Sequence, residues 1–142
     1  TITRLQNMGT PDYLISAACQ LVLAQRLARR TCKECRVPDE DVTPKVLQDL
    51  GFTAEQASRA KAFKGKGCPK CKDTGYKGRQ GIYEILVVSK PLKEAILRQA
   101  TTPELREIAI KEGFQTMQDM GRRLISAGDL NFREYERVLS SE

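Results

Sequence analysis

"GCPKCKDTGYKGRQGIYEIL" (residues 67–86) sets two cysteines three positions apart, follows them with glycines and lysines, and then turns apolar. A C-x2-C step lets a tight turn aim both sulfurs at one point, and proline and glycine suit such a turn. The same step occurs upstream at Cys32-Lys33-Glu34-Cys35, with 32 residues between the two pairs. Two such turns facing each other supply the all-sulfur tetrahedral shell that zinc prefers, with Zn–S distances of about 2.3 Å. Cys32, Cys35, Cys68 and Cys71 are therefore the expected ligands of a closed, structural zinc site. Two disulfides are the rival reading, although no secretory signal places the chain in an oxidising compartment. A thioredoxin-like redox pair needs only one of the two steps. An iron–sulfur cluster takes the same four ligands, and the spacing leaves that alternative open.

Four thiolates around one Zn²⁺ make a doubly negative centre, and Lys33, Arg36, Lys70 and Lys72 stand beside the ligands in sequence to offset it. The fifth cysteine, Cys19, lies in an apolar run and reads as a small core residue.

The rest of the composition narrows the chemistry. Histidine is absent, which removes histidine acid–base catalysis, catalytic triads and every histidine metal ligand. No G-x-x-x-x-G-K-[ST] phosphate loop occurs; "KGKG" (64–67) and "GYKG" (75–78) are too short. No enzymatic activity is expected of this chain alone. The formal charge is +6, from 24 Lys and Arg against 18 Asp and Glu, and the basic residues read as scattered among acids. Without aromatic side chains interleaved among them, a stand-alone zinc-ribbon nucleic-acid binder is the weaker alternative. The longest mostly apolar stretch (13–24) is broken by Ser16 and Gln20, so no membrane span is expected. No signal peptide is visible in "TITRLQNMG" (1–9), and without an initiator methionine the chain reads as a fragment.

Outward from the knuckles, the pattern alternates helix and strand. Residues 1–8 read as a helix closed by Gly9, and Thr10 and Pro11 read as the cap and first position of a second. "LAQRLARR" (23–30) reads as an extended run into the first knuckle, able to pair with "IYEILVV" (82–88) leaving the second. The knuckles would then clasp the open end of a two-strand ribbon. Between them, "TPKVLQDLG" (43–51) and "TAEQASRAKAF" (53–63) predict two short helices, the second with a Thr53–Gln56 capping box and a Phe52–Ala57 staple. This insert is too small to bury a core alone, so metal is expected to contribute much of its folding energy. Residues 91–99, 102–113 and 116–127, and a last helix capped by Asn131 and Glu134, predict a packed helical bundle.

Taken together, "LAQRLARRTCKEC", "GKGCPKCKDTGYKGRQGIYEIL" and the helical tail resemble the C-terminal end of the type IV pilus assembly and type II secretion ATPases, the PilB/GspE family. The resemblance implies an α/β plus α fold. Residues 1–31 would end a RecA-like ATPase domain, and 32–76 would be a zinc module with a helical insert. Residues 77–88 would be a strand returning to the sheet, and 89–142 a C-terminal helical subdomain. It implies a homo-hexameric parent ATPase that uses ATP and Mg²⁺. That parent would lie at the cytoplasmic face of the bacterial inner membrane, driving a pilus or pseudopilus through platform or regulatory proteins of the machine, with no nucleic acid as partner. The family's Walker, Asp-box and His-box residues lie upstream of the part matched here. The pilus branch is the favoured reading.

Overall fold

The apolar alternation at 82–88 is the end of a longer strand. In a computed structural model of the chain, which describes residues 1–139, the elements follow in the order α1 (Ile2–Asn7), α2 (Asp12–Ala18), β1 (Leu21–Thr31), β2 (Arg36–Pro38), α3 (Pro44–Asp49) and α4 (Ala54–Arg59). They continue with β3 (Phe63–Gly65), β4 (Tyr76–Val87), α5 (Lys90–Leu97), α6 (Thr102–Lys111), α7 (Met117–Ala127) and α8 (Phe132–Leu139). Strand β4 starts at Tyr76, six residues before the apolar run, because pairing with β1 overrides the turn-rich composition of "DTGYKGRQG".

The chain divides into two compact units, each built from two stretches of sequence. The first joins Thr1–Ala24 to Glu84–Thr116. Its core gathers Ile15 on α2, Leu92, Ala95 and Ile96 on α5, and Leu105 on α6, all buried. Cys19 packs against this core as a small apolar residue. Each later helix starts on a side-chain cap: Ser89 accepts from Leu92 N–H, and Thr101 with Glu104 forms a reciprocal capping box. Thr10, the expected cap of α2, does not cap it. Pro11 itself, with extended backbone, takes the cap position, and the helix starts at Asp12.

The second unit joins Gln25–Tyr83 to Met117–Glu142. Here Cys32 N–H donates to Gly75 O at 3.0 Å, so the ribbon of β1 and β4 ends where both knuckles begin, as the sequence predicts. The insert contains α3 and α4, but α4 stops at Arg59. Residues 63–65, expected to end that helix or to follow it as loop, instead form β3 and pair antiparallel with β2, Val37 opposite Lys64. The Thr53–Gln56 box is present, and Phe52 and Ala57, the two ends of the predicted staple, are both buried. The insert is held by more than its root: Arg122 of α7 donates to Leu50 O at 3.1 Å, on the last turn of α3.

The helical tail is not one bundle. Helices α5 and α6 belong to the first unit, where the stripe of α5 meets α2. Helices α7 and α8 belong to the second, where Gly121 lets Tyr135 and Leu139 pack close. The apolar stripes are real in each, but they face different cores.

Candidate metal centre

The four predicted ligands converge. The Sγ atoms of Cys32, Cys35, Cys68 and Cys71 all lie within 4.8 Å of one another. The pairs Cys32–Cys68 and Cys35–Cys71 are 3.8 Å apart, and Cys68–Cys71 is 3.6 Å. A regular tetrahedron with Zn–S bonds of about 2.3 Å has edges of about 3.8 Å, so this donor set fits zinc. A disulfide needs an S–S distance of about 2.05 Å, and all five cysteines are free, so the two-disulfide reading is set aside. Cys32, Cys35 and Cys71 are buried and Cys68 is half-buried.

Backbone geometry prepares the sulfurs for negative charge. Gly67 N–H donates to Cys35 Sγ, and the N–H groups of Cys68 and Gly75 donate to Cys71 Sγ, each at 3.3 Å. Lys72 and Asp73 follow the last cysteine with φ of 54° and 61°, a left-handed pair that reverses the chain and brings Gly75 N–H back to the sulfur. Two glycines make the close approach possible. A Cβ on Gly65 would overlap the carbonyl of Gly75, and one on Gly75 would stand 2.6 Å from Gly65 O.

Burial pushes the Cys35 thiol up to about 11; Gly67 N–H opposes this, and the neighbouring thiols add to it. Burial acts on Cys71 in the same direction. There the N–H groups of Gly75 and Cys68 outweigh it, together with the thiols of Cys68 and Cys35, and bring it down to about 6. Cys71 is thus ready to bind metal at neutral pH, and Cys35 gives up its proton on loading.

The basic residues beside the ligands have separate tasks. Lys70 pairs with Glu34 at 3.6 Å, while Arg36 stacks 5.1 Å over Phe63 and donates to Ala127 O. Arg36 thus ties the first knuckle to the end of α7.

Behind the ribbon lies a polar cluster that the capping-box reading missed. Asn131 Oδ1 does cap α8, accepting from Glu134 N–H at 2.7 Å. The Glu134 carboxylate, however, turns to Arg29 of β1. It accepts from the Arg29 N–H at 2.8 Å and from its guanidinium at 2.6 and 3.0 Å, and from Arg137 at 2.8 Å twice. The Arg137 bonds and the Arg29 pairing hold the buried carboxyl down at about 2. Arg29 also lies 4.0 Å over the Tyr76 ring, whose hydroxyl accepts from Asn131. The spacing of Glu134 and Arg137 on one helix was visible in sequence; the third partner, 105 positions upstream, was not.

Residues 1–137 match the family of Type II/IV secretion system proteins. The chain belongs to that family. Among secretion system proteins it is 42% identical over 123 residues to the type IV pilus assembly ATPase PilB of Thermus thermophilus, covering 84% of this chain and 13% of that protein. It is 37% identical over 134 residues to PilB of Myxococcus xanthus (94% and 24%), and 34% over 135 residues to the type II secretion system ATPase E of Vibrio cholerae (85% and 26%). The chain therefore spans about a quarter or less of the secretion system proteins it matches. Among its described residues, no helix is long and apolar enough to cross a membrane.

Proposed function

We propose that this chain is the C-terminal zinc-binding and helical region of a hexameric ATPase that powers type IV pilus assembly, coupling ATP hydrolysis to an inner-membrane platform or regulatory partner. The observation that carries the reading is four sulfurs at zinc's tetrahedral spacing, in a chain that matches its family over residues 1–137. Cys32, Cys35, Cys68 and Cys71 would hold Zn²⁺ with no position left for water, so the ion is structural and supplies folding energy. ATP and Mg²⁺ belong to the larger polypeptide, at its RecA-like core, to which residues 1–31 and the returning strand would add; this chain alone is not an enzyme. The whole works at the cytoplasmic face of the inner membrane, without nucleic acid. The type II secretion branch is the second reading, supported by relatives named for that system.

Two measurements test the proposal. Native mass spectrometry before and after chelation should find one zinc per chain and lose it. Capture of the platform protein by the full-length ATPase should weaken when zinc is stripped; undiminished capture after the insert has unfolded would remove the coupling role.

A further inference from the structure

The positive charge is not spread over the molecule. The first unit carries 6 Lys and Arg against 6 Asp and Glu, and the second 18 against 12, so the whole excess lies in the second. Within that unit, residues 61–79 hold seven basic side chains and one acidic one, Asp73. The doubly negative zinc centre accounts for only part of this surplus.

These charges come in pairs two residues apart: Lys64 and Lys66 along β3 and its exit, Lys70 and Lys72 around Cys71, and Lys77 and Arg79 on β4. In an extended strand, alternate side chains leave the same face. Gly78, between Lys77 and Arg79, has a left-handed φ of +80° that interrupts the extended alternation of β4, so strand period does not set the side these two take. The contact of Gly65 with Gly75, and of Gly67 with Asp73, lays β3 against the segment entering β4 and joins the pairs into one strip. All six side chains are exposed. Lys64 reaches Asp39 at 4.0 Å and Lys70 reaches Glu34 at 3.6 Å; among the described residues no carboxylate lies within ion-pair distance of Lys66, Lys72, Lys77 or Arg79.

We propose that this strip is a docking surface for an acidic protein segment, a run of closely spaced Asp and Glu side chains. The proposal deepens the partner-coupling reading above and rests on it. Three observations select this occupant. The two lysines already engaged hold carboxylates, which shows the ligand chemistry the strip accepts. Five of the six basic residues are lysines, compact point charges that a flexible run of carboxylates can meet without bidentate geometry. Nearby aromatic rings are already covered, Tyr76 by Arg29 and Phe63 by Arg36, so bases find no stacking platform. No large apolar side chain is exposed between residues 28 and 82, so nothing there inserts into a bilayer.

The test uses the zinc-loaded chain and a fluorescein-labelled decaglutamate peptide, followed by anisotropy at about 50 mM and about 200 mM salt. Binding should weaken with salt. It should fall by about tenfold or more when Lys66, Lys72 and Lys77 are changed to Glu, while Lys90→Glu with Lys111→Glu in the first unit leaves it within about twofold. If the triple variant loses zinc, Lys77→Gln with Arg79→Gln, on the strand away from the sulfurs, should still weaken binding. No binding of the peptide, or equal losses in the control variant, overturns the proposal. So does tighter binding to phosphatidylglycerol vesicles or to a single-stranded oligonucleotide at the same salt. Loss of this surface with zinc-dependent partner capture intact removes the acidic occupant alone; loss of capture with peptide binding intact removes the coupling reading alone.

Discussion

Glu134 on α8 receives the backbone N–H and the guanidinium of Arg29 on β1, so one buried carboxylate ties a helix to a strand 105 positions away in sequence. Its side chain is 1% exposed while those of Arg29 and Arg137 are 50% and 56% exposed. Replacing the carboxylate with an amide removes the charge and one of two acceptor oxygens, leaving two half-solvated cations and the Arg29 N–H to share a single carbonyl. Glu134→Gln should destabilise the second unit by about 2–3 kcal/mol, at the lower edge for a broken buried pair because the cations keep much of their water. Urea unfolding of the zinc-loaded protein checks this.

The same residue sets an acid limit. Its carboxyl is held near 2, below the ordinary value of 4.5, so the stabilisation it gives is complete above pH 4.5 and is lost as pH falls towards 2. The wild-type midpoint should therefore drop over that window, and the Glu134→Gln variant should show a flatter acid profile. Equal slopes for the two proteins would show that Glu134 is not the group responsible.

Zinc retention should fail at a higher pH than the Glu134 tie does. Loading requires four thiolates; the cluster starts with Cys71 near 6 and Cys35 near 11, so protons leave as metal binds. Affinity should fall with decreasing pH, and a competing chromophoric chelator should strip the ion more readily below about pH 6. Cys71→Ser removes the sulfur with two N–H donors and should abolish stoichiometric zinc while leaving the first unit's helices folded, as read by hydrogen exchange.

Much of this centre was legible in the sequence, because ligand spacing is a local property. Four cysteines in two C-x2-C steps and the glycines after them fix the donor set, and the Thr53–Gln56 capping box fixes the start of α4. What escaped was set by partners far along the chain. Strand β3 replaced the end of a helix because Arg36–Pro38 was available to pair with it. Glu134 left its expected N-cap bond for Arg29. The division of the tail between two units depends on which core each apolar stripe meets, and a stripe alone does not say.

Gly65 and Gly75 make the most exacting demand on sequence in the second unit. Their backbones touch, so any Cβ on Gly65 overlaps the Gly75 carbonyl, while Gly75 in addition sits at φ +79°, where a side chain is strained. Gly75 N–H also donates to Cys71 Sγ, and Gly75 O accepts from Cys32 N–H, so moving this residue disturbs both knuckles at once. Gly65→Ala should cost about 3 kcal/mol or more by forcing β3 away from the β4 lead-in. It should also weaken zinc affinity by an order of magnitude or more through the displaced Gly75 N–H. Gly113→Ala, whose Cβ would meet nothing within 4 Å, provides the comparison: its left-handed φ of +92° costs about 1 kcal/mol and leaves zinc affinity unchanged. Chelator competition on both variants separates the two effects. If Gly65→Ala keeps wild-type zinc affinity, the contact between the glycines supports the fold without shaping the metal centre.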